Sequence, residues 1–141
     1  MRKLKPQQAD FEQIRRFIVS AEKKLAAARK NLAIDEEAAY ELAYGAMLKA
    51  SVGFMLSFGV RPRSLPGHHV TIIEFAARNL SKEHQAQFAM FDRMRRKRHQ
   101  AMYDVTGFVS KREAEDAIEA AEGYLAVLRQ EIEKKDPRGS R

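Results

Sequence analysis

The sequence predicts an all-α protein, folded as an up-and-down bundle of four to five helices. Three observations indicate this class: apolar residues recur at steps of three and four, capping residues border those segments, and no segment alternates as a strand does. The chain has 141 residues, which suffice for one domain with a hydrophobic core but hardly for two. We therefore predict no strands, a helical domain over residues 10–135, a basic N-terminal extension over residues 1–9 and a disordered tail over residues 136–141.

The first two predicted helices differ in their patterning. Apolar residues mark one face of a helix from about Asp10 to Leu32. Asp35 can cap the second helix, because its side chain can accept hydrogen bonds from the first free backbone N–H groups. This helix runs to about Phe58, before a natural C-terminal cap at Gly59, and it is apolar nearly all round. We therefore expect it to be the central helix of the bundle.

Three further helices are predicted after a turn that contains proline and glycine. The third helix is short, from about His69 to Leu80. Its core candidates are Val70, Ile73, Phe75 and Ala76. Ser81 can cap the fourth helix, which runs to about Tyr103. Ser110 and Glu113 have the spacing of a capping box at the start of the fifth helix.

The net charge of +7, from 26 Lys+Arg against 19 Asp+Glu, is concentrated in three places. Both ends of the chain are basic, and residues 93–98 hold five basic side chains and no acidic one. Basic ends are common and mostly serve solubility, whereas an internal run on a helix needs its own explanation. The basic run that needs an explanation therefore lies on the predicted fourth helix.

The composition argues against several classes of protein. No window approaches the roughly 18 to 20 apolar residues of a membrane-spanning helix, and 45% hydrophobic residues exceed what a disordered chain contains. Because the chain has no cysteine, it has no disulfide, no thiol nucleophile and no cysteine-ligated zinc. The adjacent His68 and His69 project about 100° apart and form a poor metal pair. We therefore expect a cytoplasmic protein with no membrane association, no metal site and no cofactor.

Two arginines interrupt the apolar face of the fourth helix. At about 100° per residue, Phe91 and its apolar neighbours define that face, and Arg95 and Arg98 project from its middle. A buried charge without a partner is costly, so these arginines are expected to line a pocket or a subunit interface that binds anions such as phosphate. The alternative is a structural role, in which acids such as Glu41 or Asp92 neutralise them. The rest of the basic run is expected on the solvated side of the helix: Arg93, Arg96 and Lys97.

His99 is predicted at the edge of the same face, one turn before Tyr103. An imidazole beside guanidinium groups suits acid–base chemistry at a phosphodiester, because one group moves protons while the other stabilises the developing charge. Tyr103 can orient a phosphate or cover the core. The C-terminal half of the fourth helix is therefore the candidate functional site.

At these residues the chain resembles the HEPN family, the higher eukaryote and prokaryote nucleotide-binding domains. The resemblance covers about residues 10–133 and looks closest to small stand-alone members from bacteria or archaea. It rests on the order and spacing of several segments: the alanine-rich residues 38–46, Gly59-Val60-Arg61-Pro62, Pro66-Gly67-His68-His69, the run from Arg95 to Tyr103 and a long final helix.

The resemblance implies a helical bundle that dimerises through its motif-bearing helices. Many members are metal-independent ribonucleases, acting as toxins or in defence against phages; others have lost catalysis and bind RNA or a small nucleotidyltransferase. The active members use an arginine, an adjacent polar residue and a histidine four to six residues beyond the arginine. Arg98 and His99 match the start of this motif, but Tyr103 stands where the histidine is expected.

The candidate catalytic residues are therefore Arg98, His99 and Tyr103. The candidate phosphate- and nucleic-acid-binding residues are Arg95, Arg93, Arg96 and Lys97. Three hypotheses stay open. The chain is a metal-independent endoribonuclease in which His99 activates a ribose 2′-hydroxyl; or it is a dimeric module that binds RNA, nucleotides, a nucleotidyltransferase or an antitoxin without chemistry; or its inward arginines are purely structural at a dimer interface.

Overall fold

The computed structural model describes residues 4–63, 67–103 and 109–138, and it confirms the all-α bundle. The helices in these residues are α1 (Phe11–Asn31), α2 (Glu36–Ser57), α3 (His68–Asn79), α4 (Gln85–Tyr103) and α5 (Lys111–Lys135). Two short strands accompany them, β1 (Leu4–Pro6) and β2 (Val60–Pro62). Helix α2 packs against each of the other four helices, which confirms its predicted central position.

The strand pair β1–β2 shows that the prediction of no strands was wrong. The two strands run antiparallel, with Leu4 opposite Pro62, and the backbone N–H of Gln7 donates to the carbonyl of Gly59 over 3.0 Å. Gly59 has a φ of +74°, which ends α2 and turns the chain back toward the N-terminus. Part of the basic N-terminal extension is therefore fixed against the end of α2, while residues 1–3 lie outside the described part of the chain.

The predicted N-terminal caps of α2 and α5 are confirmed. The Asp35 carboxylate accepts hydrogen bonds from the backbone N–H groups of Glu37 and Ala38 over 3.0 and 3.2 Å. At α5, the Glu113 backbone donates to the Ser110 hydroxyl over 3.1 Å, and the Ser110 backbone donates to the Glu113 carboxylate over 3.0 Å. Each cap satisfies backbone donors that no helical carbonyl can reach, so these helix starts follow from local sequence.

The predicted cap of α4 was wrong. Ser81 makes no side-chain hydrogen bond to the helix start; a 3₁₀ turn over Lys82–His84 follows it, and α4 begins at Gln85. The backbone N–H of His84 donates to the Ser81 carbonyl over 3.1 Å, the i to i+3 bond of a tighter turn.

The buried face of α3 is partly displaced from the predicted one. Ile73 and Ala76 are buried as expected, but Val70 and Phe75 are only half-buried, and Thr71 and Ile72 are buried instead. Phe75 lies at the margin of the core, where its ring packs edge-on against the ring of Phe58 at a centroid distance of 5.3 Å. The buried face differs from the predicted one because α3 packs against both α2 and α4. A single apolar stripe in the sequence does not reveal two packing partners.

Small residues along one edge of α2 allow α1 to approach closely. A Cβ placed on Gly53 would lie 3.3 Å from the Cβ of Phe17. The other members of this edge are all fully buried: Ala39, Ala43, Ala46 and Ala50. Close backbone approach of this kind makes the α1–α2 pair a rigid part of the bundle.

A polar contact inside the bundle joins α2 to α5. The buried Ser51 hydroxyl donates to the Met47 carbonyl over 2.8 Å, and it lies 2.6 Å from the Tyr124 hydroxyl. Because the Ser51 proton is used on Met47, Tyr124 donates to Ser51. Burial raises the pKa of Tyr124, so this hydroxyl stays protonated.

The end of α5 is held against α1. The Asp136 carboxylate accepts a hydrogen bond from the Arg15 guanidinium over 2.6 Å and another from the Arg138 backbone over 2.9 Å. The start of the tail that was predicted to be disordered is thus joined to α1 by an ion pair, while residues 139–141 lie outside the described residues. No helix in the described ranges has the length and apolar character that crossing a membrane requires.

Candidate nucleic-acid interface

The basic run of α4 begins where this helix leaves the core. Phe88, Phe91 and Met94 are buried against the bundle, but no later residue of α4 whose burial is described is buried. Arg95 and Arg98 lie on the core-facing side, as predicted, yet about a third of each side chain is exposed. They therefore lie at a boundary between the core and solvent, where a charged group can both pack and meet a ligand.

Both inward arginines contact the acids that the sequence suggested. The Nε of Arg98 lies 3.3 Å from the Glu41 carboxylate on α2, and the Nε–H of Arg95 donates to Asp92 over 3.0 Å. The Arg98 guanidinium also lies over the ring of Tyr44, 5.7 Å from its centroid. Because both pairs are partly exposed, each contributes at most about 1 kcal/mol to folding.

The remaining bases of the run divide into two groups. Arg93 and Arg96 are exposed, as predicted. Lys97 was predicted on the solvated side, and this was wrong: its side chain is mostly covered, and its ammonium lies 3.4 Å from the Glu113 carboxylate on α5. The Ser110 backbone N–H and then Lys97 lower the pKa of Glu113. Lys97 therefore ties α4 to the capping box of α5.

Two adjoining cavities, of about 430 and about 470 Å³, open beside Arg98, and we call them together the Arg98 cleft. The residues that line both are Lys24, Gly45, Leu48, His69 and Arg98. The first cavity also contains Glu41 and Tyr44, and the second also contains Lys49, Arg63 and His68. The cleft is thus built by α1, α2, α3, α4, the end of β2 and the residue that follows it.

The Arg98 cleft combines positive charge with an apolar floor. Its described lining contains four permanently basic side chains and one acid, Glu41. Apolar side chains from α1, α2 and α3 lie between the charges, among them Phe17, Leu48 and Ile72. Cationic groups on low-dielectric walls focus the field into the cleft, so anions are attracted to it.

His69 is the functional candidate that sequence reasoning missed. The sequence indicates for it only a poor metal pair with His68, yet its Nδ1 lies 3.0 Å from the Tyr44 hydroxyl, and it lines both cavities with Arg98. Burial and the neighbouring charges of His68, Arg98 and Arg95 lower the pKa of His69, so its imidazole is neutral near pH 7. The sequence signal for His69 is its place in the segment Pro66–His69, which supports the family resemblance. The position of His69 against Tyr44 depends on the tertiary fold.

His99 and Tyr103 lie apart from this group. Both side chains are exposed, and their rings contact each other at a centroid distance of 4.7 Å. Neither belongs to the described lining of the Arg98 cleft. The structure thus brings Arg98 together with His69 and Tyr44, and it places the other two predicted catalytic residues on the exposed end of α4. In the described ranges no three His, Asp or Glu side chains are grouped so that they could hold a metal ion.

A family model described as the HEPN domain matches residues 14–131 of the chain. The match spans α1 to α5 and includes every described residue of the Arg98 cleft. A comparison with curated proteins finds none that matches.

Proposed function

The chain belongs to the HEPN domain family, and we propose that it binds RNA, with a backbone phosphate held in the Arg98 cleft. Family membership supports a role that involves nucleotides or RNA in general. The observation that carries the finer proposal is the position of Arg98, which lines both cavities among basic side chains from α1, α2 and the residue after β2. A phosphate is the RNA group that this charge pattern favours.

Arg98 is held in a way that leaves it able to bind an anion. The described contact with Glu41 is at the Nε of Arg98, and a guanidinium has five N–H donors, so the outer nitrogens can form a paired contact with phosphate oxygens. The ring of Tyr44 supports the guanidinium from one side. Glu41 and Tyr44 therefore orient Arg98 before the ligand arrives, which reduces the entropy lost on binding.

The exposed end of α4 suits single-stranded RNA. Tyr103 keeps 74% of its surface exposed and lies against the ring of His99. Exposed aromatic rings beside a basic groove give unpaired bases a surface on which to stack. In this proposal Arg93 and Arg96, which are exposed on the same helix, contact neighbouring phosphates.

Arg98→Ala is expected to weaken single-stranded RNA binding by about 10- to 100-fold, because a charge-assisted hydrogen bond contributes roughly 1.5–3 kcal/mol. The measurement is fluorescence anisotropy with a labelled oligonucleotide in EDTA. Arg129→Ala is the matched control: Arg129 on α5 pairs with Glu22 on α1 over 2.9 Å, as Arg98 pairs with Glu41, but it lies outside the cleft lining. Equal affinity of Arg98→Ala and the wild-type chain would exclude the proposed site.

The purely structural hypothesis makes a different prediction for the same variant. If Arg98 serves only the fold, Arg98→Ala must lower the free energy of unfolding substantially. We expect a change below about 1 kcal/mol, because the Arg98–Glu41 pair is partly exposed to solvent. Urea denaturation of the two alanine variants used for binding measures this directly.

Cleavage of the bound RNA is the second candidate function. The observation that favours it is that His99 follows Arg98 directly and carries an exposed imidazole, within reach of an RNA that occupies the end of α4. Loss of RNA cleavage in EDTA on replacing His99 with alanine, with binding retained, is the result that supports it.

The homodimer and the toxin–antitoxin, antitoxin or nucleotidyltransferase context remain proposals drawn from the family. Exposed Tyr103 beside the basic run is compatible with an interface that joins two such helices. Light scattering that gives twice the 16.1 kDa mass of one chain would support the dimer.

A further inference from the structure

We infer that His69 is a second phosphate-binding residue of the Arg98 cleft, acting as a neutral N–H donor whose tautomer is fixed by Tyr44. The inference rests on the proposed binding of RNA. It goes beyond that proposal by naming the second group that holds the phosphodiester and the chemical form in which it acts.

His69 and Arg98 line the same cleft from two different helices. His69 lies in the first turn of α3, Arg98 lies on α4, and both residues line both cavities of the cleft. The two residues come from different helices, so a ligand that bridges them must occupy the space between those helices. A phosphodiester has two unesterified oxygens and can accept hydrogen bonds from both sides.

The tautomer of His69 follows from its contact with Tyr44. Tyr44 is buried, and in the described residues the partner of its hydroxyl is Nδ1 of His69, at 3.0 Å. Burial raises the pKa of Tyr44 to about 12, so the hydroxyl carries its proton at neutral pH. A buried hydroxyl that donates to no group costs roughly 1–3 kcal/mol. Tyr44 therefore donates to Nδ1, and the neutral imidazole carries its own proton on Nε2.

The surroundings of His69 favour its uncharged form. Burial, followed by the charges of His68, Arg98 and Arg95, lowers the pKa of His69. The N-terminal end of α3 acts in the same direction, because its partial positive charge disfavours a cation. The charged and titratable groups that share the cleft with His69 are Lys24, Glu41, Tyr44, Lys49, Arg63, His68 and Arg98. Most of these groups are basic and would repel a protonated imidazole. His69 can therefore lie beside Arg98 at a low cost in free energy only as a neutral donor.

The consequence is a phosphate site with two kinds of donor. Arg98 supplies charge and a paired contact, while Nε2–H of His69 fixes the position of a further phosphate oxygen. Because this imidazole acts uncharged, its contribution to binding is expected to persist between about pH 7 and about pH 8, where a charged histidine would lose its proton.

The tautomer can be measured in the free protein, without RNA. A long-range proton–nitrogen NMR spectrum of the nitrogen-labelled chain reports which ring nitrogen of His69 carries hydrogen. We expect a bare, hydrogen-bonded Nδ1 and a protonated Nε2 at neutral pH, and we expect Tyr44→Phe to mix the two tautomers. A proton on Nδ1 in the wild-type chain, whether in the other neutral tautomer or in an imidazolium, overturns the inference.

Binding variants test the role of Nε2–H. His69→Ala is expected to weaken single-stranded RNA binding about tenfold, as loss of one hydrogen bond to a charged group does. His69→Gln, whose side-chain N–H can take the place of Nε2–H, is expected to recover most of the affinity, and Tyr44→Phe to fall between the two. Helical circular dichroism of each variant checks that the bundle is intact.

The outcomes separate the inference from the proposed function. If Arg98→Ala loses affinity but His69→Ala binds as the wild-type chain does, the inference is wrong and the RNA site stands. If His69→Gln binds no better than His69→Ala, the donor role is wrong. If the wild-type chain does not bind RNA, the proposed function fails, and the inferred ligand fails with it.

Discussion

Phe91→Ala is expected to lower the free energy of unfolding by about 3–5 kcal/mol. The Phe91 ring is fully buried in the middle of α4, 5.6 Å from the ring of Tyr44 and 5.3 Å from that of Tyr124. It thus holds α4 against both α2 and α5, and its removal leaves a cavity between three helices. Small domains are stable by only about 5–15 kcal/mol, so this single change removes much of the stability.

Urea denaturation followed by far-ultraviolet circular dichroism measures this effect. Gln100→Ala is the control on the same helix, because Gln100 is exposed and its change is expected to stay within about 0.5 kcal/mol. A loss below about 1 kcal/mol for Phe91→Ala would mean that α4 is not anchored through this ring. Because Tyr44 packs on Phe91, it would then also give Arg98 a less rigid support.

Arg98→Glu is expected to reduce RNA affinity by about 100-fold or more. The change removes the hydrogen bonds of a guanidinium and places a second carboxylate beside Glu41. The two carboxylates together then repel phosphate. Two lost or reversed charge-assisted contacts of roughly 1.5–3 kcal/mol each account for this magnitude. Anisotropy titration with a labelled single-stranded RNA measures it.

Arg129→Glu is the matched control for that reversal. It changes the net charge by the same amount and also creates a carboxylate pair, with Glu22, but outside the described lining of the cleft. We expect only a modest loss, from the weaker overall field of the chain. Equal losses for the two reversals would show that RNA is attracted by net charge alone and that Arg98 has no special place.

The helices were predictable because their signals are local. Asp35 and the Ser110–Glu113 box cap backbone groups within three residues of themselves, and such contacts need no tertiary partner. The strands were not predictable, because three residues are too few to show alternation and because β1 and β2 are far apart in sequence. Their pairing depends on where Gly59 turns the chain.

The site was predictable in part, for the same reason. A helical wheel shows that Arg98 projects with the apolar side of α4, and this is correct. The wheel does not show that no described residue of α4 after Met94 is buried, and it placed Lys97 in solvent, although Lys97 contacts Glu113 at the start of α5. Nor does it show that His69 reaches Tyr44, because that contact joins two helices whose relative position only packing determines.

The most direct test of an RNA phosphate at Arg98 is the salt dependence of binding. Each neutralised phosphate of a single strand contributes about 0.7 to the slope of log affinity against log salt concentration. We expect Arg98→Ala to reduce the magnitude of this slope by about that amount, and Arg129→Ala to leave it unchanged. A slope for Arg98→Ala equal to that of the wild-type chain would show that Arg98 contacts no phosphate, and it would contradict the proposed function at its centre.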